Sequence, residues 1–328
     1  ARASNDHRRG ASDAPPAVIS IYLGDRLADI VRQLEEGKPK RSKHASAMKI
    51  GVDTLPPLPK DATDRNRTSP FAFTGNKFEF RAPGSSASCA GPNIVLNTVV
   101  AEAVERIAST MEKEDVVGKN EPGKHTVRFH EVLQDILKKI IKEHKKVLFN
   151  GDGYKSDWLL EAEKRGLPNT AKTPDALKAF TKKENVEVFA KAGVFSEREM
   201  TSRYEIALED YKTKIMIEGN CALEMVDTMI IPAIKSEYKE SLEALKKAGD
   251  CGVACGTESL RDQAVLFGSG LDTLRRQRDK LEEAISQGKS CETISSMAAL
   301  RATVDNLEKH VSDEKWPLPK YREMLFIY

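Results

Sequence analysis

The sequence predicts an α+β protein: a mixed, loop-rich part with short strands over residues 1–125, followed by a mainly helical part over residues 126–328. Three observations carry this expectation. Residues 75–84 (GNKFEFRAPG) alternate charged and aromatic side chains, the period of a strand. Beyond residue 126 apolar side chains recur at spacings of three and four, the period of amphipathic helices. Near the end, two such helical seams are separated only by residues 286–290, a short stretch containing Gly288. Long seams joined by a tight turn make an antiparallel helical hairpin.

Each element follows from local chemistry. Residues 18–23 (VISIYL) form a strand candidate, and Leu27, Ile30, Val31 and Leu34 then mark one face of a short helix. Residues 38–49 are basic and poor in apolar side chains, which predicts a mobile loop. The proline-rich LPPLP at 55–59 leads to the motif block that contains the charged, alternating strand. Pro92 opens a helix running to about Met111, because proline lacks only an N–H that the first helical turn leaves unpaired. Residues 112–124 form a charged linker.

In the second part, Phe129, Val132, Leu133, Ile136, Leu137 and Ile140 share a helical stripe. Thr173-Pro174-Asp175 predicts an N-cap followed by proline at the first helical position. Ser196 and Glu199 make a capping box that starts a very long helix, reaching about Lys247 and kinked at Pro232. Leu260, Ala264, Phe267, Leu271, Leu274, Leu281 and Ile285 form the first hairpin seam, interrupted by Arg278. Met297, Leu300, Val304, Leu307 and Val311 form the second. The hairpin could pack on the long helix or serve as a partner-binding coiled coil; internal packing is the expected arrangement.

Bulk composition narrows the function classes. With 52 Lys+Arg against 50 Asp+Glu and a net charge of +2, the chain lacks the basic excess of a nucleic-acid binder. No apolar run approaches the roughly 20 residues of a membrane span. Five scattered cysteines suggest free thiols in a reducing compartment. Cys251 and Cys255 have no second pair and no nearby histidine, so no structural zinc is expected there. His125, His130, His144 and His310 show no ligand spacing, and His7 has no assigned role.

The charged strand is the chief candidate for a site. Lys77, Glu79 and Arg81 project to one side, with Phe78 and Phe80 expected to be buried on the other. A cation–carboxylate–cation order suits a site holding a metal and anionic ligands together, and fits equally a half-exposed strand with a solvated face. The surroundings add weight. Upstream stand NDHRRG at 5–10, DAPP at 13–16 and DRNRTSPFAF at 64–73; downstream stand VLFNGDGY at 147–154, SRYE at 202–205 and WPLP at 316–319. In this order, and over nearly the whole chain, these blocks resemble the C-terminal half of type III glutamine synthetases.

The resemblance implies a fold, an activity and residue roles. Residues 1–125 would be the C-terminal part of a catalytic domain with an antiparallel sheet and helices, and residues 126–328 the helical extension of the type. The reaction would join glutamate and ammonia at the expense of ATP, through γ-glutamyl phosphate, with Mg²⁺ or Mn²⁺. Glu79 matches a metal-ligand glutamate; an ion pair with its neighbours is the plainer alternative. Arg81 and Arg8 match arginines that hold substrate glutamate. Arg67 matches an arginine near the nucleotide phosphates, or pairs structurally with Asp61 or Asp64. Lys77 stands where other types carry an arginine toward ATP, and Ala72 also replaces an arginine of those types.

Asp13 stands where the family carries a flap glutamate that shields the acyl phosphate and helps deprotonate ammonium. It is one methylene shorter, and a displacement of about 1 Å at a catalytic group can cost about a hundredfold in rate. Arg9 replaces a leucine usual in the type. The chain starts at Ala1, within a family motif, which suggests a segment of a longer protein. The N-terminal β-grasp domain and most metal-binding glutamates of the family lie upstream of that motif, so this segment alone is expected to be inactive. The resemblance further implies a ring-shaped homo-oligomer, a dodecamer, and a cytoplasmic location, with organelle targeting left open. The competing reading is a non-catalytic interaction protein derived from the synthetase. Asp13 and Arg9 favour it; the intact Arg67, Glu79 and Arg81 oppose it.

Overall fold

The computed structural model describes residues 18–37, 47–48, 58–59, 69–81, 88–114, 127–153 and 155–325. It divides into two compact units, residues 1–207 and 208–328. The expected loop at 38–49 and linker at 112–124 fall mostly outside the described residues.

The first unit is built on a small sheet. Strand β1 (Ile21–Tyr22) leads directly into helix α1 (Gly24–Glu36), and β2 (Ala47–Met48) pairs antiparallel with β3 (Leu58–Pro59). β4 (Phe71–Phe73) and β5 (Phe78–Phe80) form an antiparallel hairpin, in register Phe71↔Phe80, Ala72↔Glu79 and Phe73↔Phe78. The sheet order is β1-β4-β5. β1 runs parallel to β4, so the sheet is mixed rather than purely antiparallel. Beyond β1, Leu148 makes a parallel bridge to Ile21, and the Phe149 N–H donates to the Ile21 carbonyl at 3.0 Å.

The helices follow the predicted stripes. α2 (Ala90–Lys113) contains Pro92 in its first turn and contacts α3 (Val127–His144), which also packs on α1. Lys145, just past α3, pairs with Glu35 of α1 at 2.6 Å. α4 (Ser156–Lys164) supplies Trp158, fully buried with Val18, Ala162 and Leu167 and stacked on Phe149 at 4.2 Å between centroids. α5 (Thr173–Leu177) begins at Thr173 itself, with Lys172 at the cap position. The predicted Thr173 cap is therefore not formed: its side chain is buried, and Pro174 still occupies the first turn. α6 (Lys183–Lys191) contacts α2.

α7 (Glu197–Met225) opens on the predicted capping box. The Glu199 N–H donates to Ser196 Oγ at 3.3 Å, and the Ser196 N–H donates to Glu199 Oε2 at 2.8 Å. Backbone and hydroxyl bonds from Ser196 hold the Glu199 carboxyl below its ordinary value. Replacing Ser196 by alanine removes one of these reciprocal bonds. The melting temperature should fall by about 2–4 °C, read by circular dichroism.

The predicted break at Pro232 takes a specific form. A π-helical turn, Val226–Ile230, intervenes before α8 (Ile231–Asp250), and the Ile231 N–H reaches back to the Val226 carbonyl. Pro232 has no N–H to donate and its ring crowds the preceding turn, so the helix widens there and continues. Arg278, the polar interruption in the hairpin seam, docks on this turn: its Nε and Nη2 donate to Asp227 at 3.0–3.1 Å, with Glu282 and Asp279 completing a cluster. Asp227, then Glu282, raise the guanidinium above its ordinary value.

α9 (Thr257–Ser286) and α10 (Ser290–Glu308) are the hairpin, and α9 packs on both α8 and α10. Internal packing is thus the arrangement adopted. Gly288, at φ 65°, closes the connection in the left-handed conformation that glycine adopts without steric cost. The core of this second unit joins Val226, Ile230 and Ile234 to Phe267, Leu274 and Leu281 of α9, Leu300 and Leu307 of α10, and Trp316.

Glu237 of α8 fastens the segment that carries Trp316. Its Oε1 accepts from the Ser312 N–H at 3.1 Å and the Ser312 hydroxyl at 2.6 Å, and faces Lys315 Nζ at 3.2 Å. Burial pushes this carboxyl up, but the Ser312 bonds and Lys315 outweigh burial and hold it below its ordinary value. A carboxyl depressed on folding contributes stability above its unfolded pKa, and that contribution is lost as pH falls through the folded value. Glu237→Gln should therefore cost about 1–3 kcal/mol near neutral pH and progressively less in acid. Urea titrations of both proteins at neutral and acidic pH check this.

α11 (Tyr321–Leu325) ends the described chain. Among the described residues no helix is long and apolar enough to cross a membrane. The five cysteines are exposed and unbridged.

Candidate functional site

The β4–β5 hairpin sets the geometry of the candidate site. Its connection is a turn over residues 74–77, closed by the Thr74 N–H on the Lys77 carbonyl at 2.8 Å, with Gly75 at φ 95°. Strand geometry spans only Phe78–Phe80, so Lys77 lies in the turn, while the Arg81 N–H prolongs the ladder by donating to the Pro70 carbonyl at 2.6 Å. The foundation is polar. The hydroxyls of Ser20 and Ser69 meet at 2.9 Å in a fully buried pair, and Ser69 Oγ also donates to the Ser20 carbonyl. Opposite, Asn150 Oδ1 accepts from the Leu23 N–H at 3.2 Å, tying the end of β1 to the 147–154 segment.

Lys77, Glu79 and Arg81 come together on one face as the alternation predicts. Lys77 Nζ lies 3.3 Å from Glu79 Oε1, and Arg81 Nη2 and Nε lie 3.2 and 3.4 Å from Glu79 Oε2. Thr74 Oγ1 approaches Glu79 Oε1 at 3.5 Å. Bonds from Arg81 and then Lys77 hold the Glu79 carboxyl below its ordinary value, so it is a carboxylate at neutral pH. Ala72, cross-strand from Glu79, is fully buried and offers no polar group. Glu79 therefore takes its cations from its own strand and turn.

The other face differs from expectation. Phe78 and Phe80, predicted to be buried, are 47% and 37% exposed. They pack instead against Phe71 and Phe73, with centroid separations of 5.3–6.4 Å. β5 is the edge strand, and this aromatic surface is partly open to solvent.

Of the other site candidates, Arg8, Asp13 and Arg67 lie outside the described residues. Glu79 fits one ligand position of a hard divalent cation, being an ionised, half-exposed oxygen donor. Among the described residues no cluster of three or more metal-ligating side chains accompanies it. Sequence reasoning passed over Thr74 and Asn150. Asn150 stands within a motif block and Thr74 between two of them, but a hydroxyl in a turn and an amide in a loop carry no periodic signal that marks their partners.

The chain is similar to known proteins along nearly its whole length. A family model described as the glutamine synthetase C-terminal domain matches residues 132–248. A type-3 glutamine synthetase of Dictyostelium discoideum is 37% identical over 339 residues, covering 98% of this chain and 45% of that protein. A glutamine synthetase of Bacteroides fragilis is 34% identical over 346 residues, covering 99% of this chain and 46% of its own. A glutamine synthetase of Butyrivibrio fibrisolvens is 35% identical over 343 residues, covering 99% and 47%. The chain spans about half the length of the relatives it matches.

Proposed function

We propose, from the premise that this chain belongs to the type-3 glutamine synthetase family as the C-terminal half of its subunit, that it forms part of an ATP-dependent glutamate–ammonia ligase. The observation that carries this reading is the Lys77–Glu79–Arg81 array, an ionised carboxylate between two cations on one face of a supported hairpin. Residues 1–125 complete the catalytic domain, and residues 126–328 form the helical extension.

In this reading Glu79 is one ligand of a bound Mg²⁺ or Mn²⁺. Such a cation, when present, supplies charge neutralisation for the transferring phosphoryl group. Arg81 orients the carboxylate of substrate glutamate, since a planar guanidinium binds it bidentately. Arg8 does the same from another direction. Lys77 and Arg67 offset the negative charge of the ATP phosphates. Asp13 helps to shield the γ-glutamyl phosphate and to take a proton from ammonium. Magnesium takes six oxygen ligands in near-octahedral geometry, so one carboxylate does not complete its shell. The remaining donors belong to the upstream half of the subunit, in a ring-shaped oligomer.

Two measurements test this function. The native polypeptide should have an intact mass near twice the 36.4 kDa of this chain. It should transfer a γ-glutamyl group to hydroxylamine in a nucleotide- and metal-dependent assay. A native mass near 36.4 kDa with no transfer overturns the ligase reading. That outcome favours a non-catalytic interaction protein, for which the shorter Asp13 carboxylate is the specific observation.

A further inference from the structure

We infer that Cys251 and Cys255 form a dithiol modification site: a small disulfide such as glutathione disulfide converts them reversibly to an internal disulfide that clasps the corner between α8 and α9. The site belongs to the second unit and is independent of the function proposed above.

The corner is short and fixed at both ends. α8 ends at Asp250, and the Cys251 and Val253 N–H groups donate to the Lys247 and Ala248 carbonyls at 3.0 and 2.9 Å. α9 starts at Thr257, whose hydroxyl donates to the Ala254 carbonyl at 2.9 Å. Gly252 and Gly256, each directly after a cysteine, adopt φ 69° and 80° and reverse the chain on either side of the apex.

The two helices set which residues face each other across the corner. Arg278 on α9 meets Asp227 just before α8, and a Cβ on Gly268 would stand 3.3 Å from the Tyr238 ring. From these pairs the helices run antiparallel and nearly in step toward the corner. Cys251 lies 13 residues beyond Tyr238, and Cys255 lies 13 residues before Gly268. The cysteines therefore stand level, on opposite sides of Val253, where the chain crosses from one helix to the other. Axes of packed helices stand about 8–10 Å apart, and residues on the crossing lie closer together than the axes. A disulfide needs α-carbons about 4.4–6.8 Å apart. Both thiols are exposed and unbridged, so a small disulfide reaches either sulfur.

The exchange needs no other reactant. One cysteine thiolate attacks a sulfur of glutathione disulfide; a protein–glutathione bond forms, the glutathione S–S bond breaks, and one glutathione leaves and takes up a proton. The other cysteine thiolate attacks the protein sulfur of this mixed disulfide. The Cys251–Cys255 bond forms and the second glutathione leaves in the same way. The protein gives up two electrons and two protons, and one glutathione disulfide becomes two thiols. Excess thiol reverses both steps.

The test equilibrates the native polypeptide with glutathione and glutathione disulfide at a fixed ratio, then quenches it in acid and maps its cysteines by mass spectrometry. Wild type, Cys251→Ser and Cys255→Ser are compared. The wild type should carry a Cys251–Cys255 bridge, and each variant should carry glutathione on its remaining corner thiol. Diluting both glutathione forms about tenfold at the same ratio should raise the bridged-to-reduced ratio by the same factor and leave the mixed disulfide at Cys89 unchanged, because bridging releases two thiols and a mixed disulfide one. Oxidation should raise the melting temperature of the second unit by about 3–8 °C in the wild type only. Glutathione carried separately on Cys251 and Cys255 at every dilution overturns the site, as does a bridge that joins two polypeptides. A bridge that lowers the melting temperature overturns the clasp. Melting curves of the reduced variants confirm that each is folded.

Discussion

Glu79→Ala in the native polypeptide should lower γ-glutamyl transfer by about 10²–10³-fold, the loss of roughly 3–4 kcal/mol of transition-state stabilisation. The reason is charge. Without the carboxylate, the face presents Lys77 and Arg81 with no anion between them. On the proposed assignment of Glu79, a divalent cation would then meet repulsion where it had a ligand. The defect should appear as a requirement for much higher manganese as well as a lower maximal rate, and titrating the metal in the hydroxylamine assay separates the two. The fold should be nearly indifferent, because exposed ion pairs contribute little to stability. A variant with normal transfer would return Glu79 to the plainer role of a surface ion pair.

Phe267→Ala should be the most damaging single truncation in the second unit, costing about 3–5 kcal/mol. Phe267 is fully buried on α9 and belongs to the cluster that joins the π-turn, α8 and α10. Deleting its ring removes apolar burial and leaves a cavity among Leu274, Ile234 and their neighbours. Rigid helices on more than one side collapse into such a space only partly. The unfolding transition of this unit should move down by about 10–20 °C. Urea denaturation gives the free energy directly. A loss below 1 kcal/mol would mean that the helices do not close on α9 as described.

Much of the helical half was legible because periodicity and capping are local. The Ser196–Glu199 box, the stripe on α3 and the hairpin seams each specify an element from a few neighbouring residues. Arg278 read as an interruption because its partner, Asp227, lies 51 residues away and no periodicity links them. Thr173 misled for a related reason: capping chemistry favours threonine at a helix start, but tertiary burial claimed its side chain. At the site, alternation correctly gathered Lys77, Glu79 and Arg81 on one face. The same alternation placed Phe78 and Phe80 inside, since aromatic side chains are ordinarily covered. A two-residue period states which residues share a face and is silent on what lies over it. The parallel pairing of β1 with β4, and the bridge from Leu148 to Ile21, join segments far apart in sequence. No local pattern encodes such pairings.

The π-turn gives the helix that contains it two phases. The most deeply buried positions there, Val226, Ile230 and Ile234, fall four apart, whereas an α-helix returns to the same side every 3.6 residues. An uninterrupted helix would carry such a series progressively off its face. The single wide turn resets the count, so that Val226 and Ile234 meet the same core. Deleting one residue from 227–229 removes the surplus that the wide turn absorbs: about two turns of regular α-helix then join Val226 to Ile234, the downstream face is kept, and Glu237 should still reach Ser312. A deletion between Ile234 and Glu237, where no wide turn absorbs it, would instead turn Glu237 by about 100° and loosen the Trp316 segment.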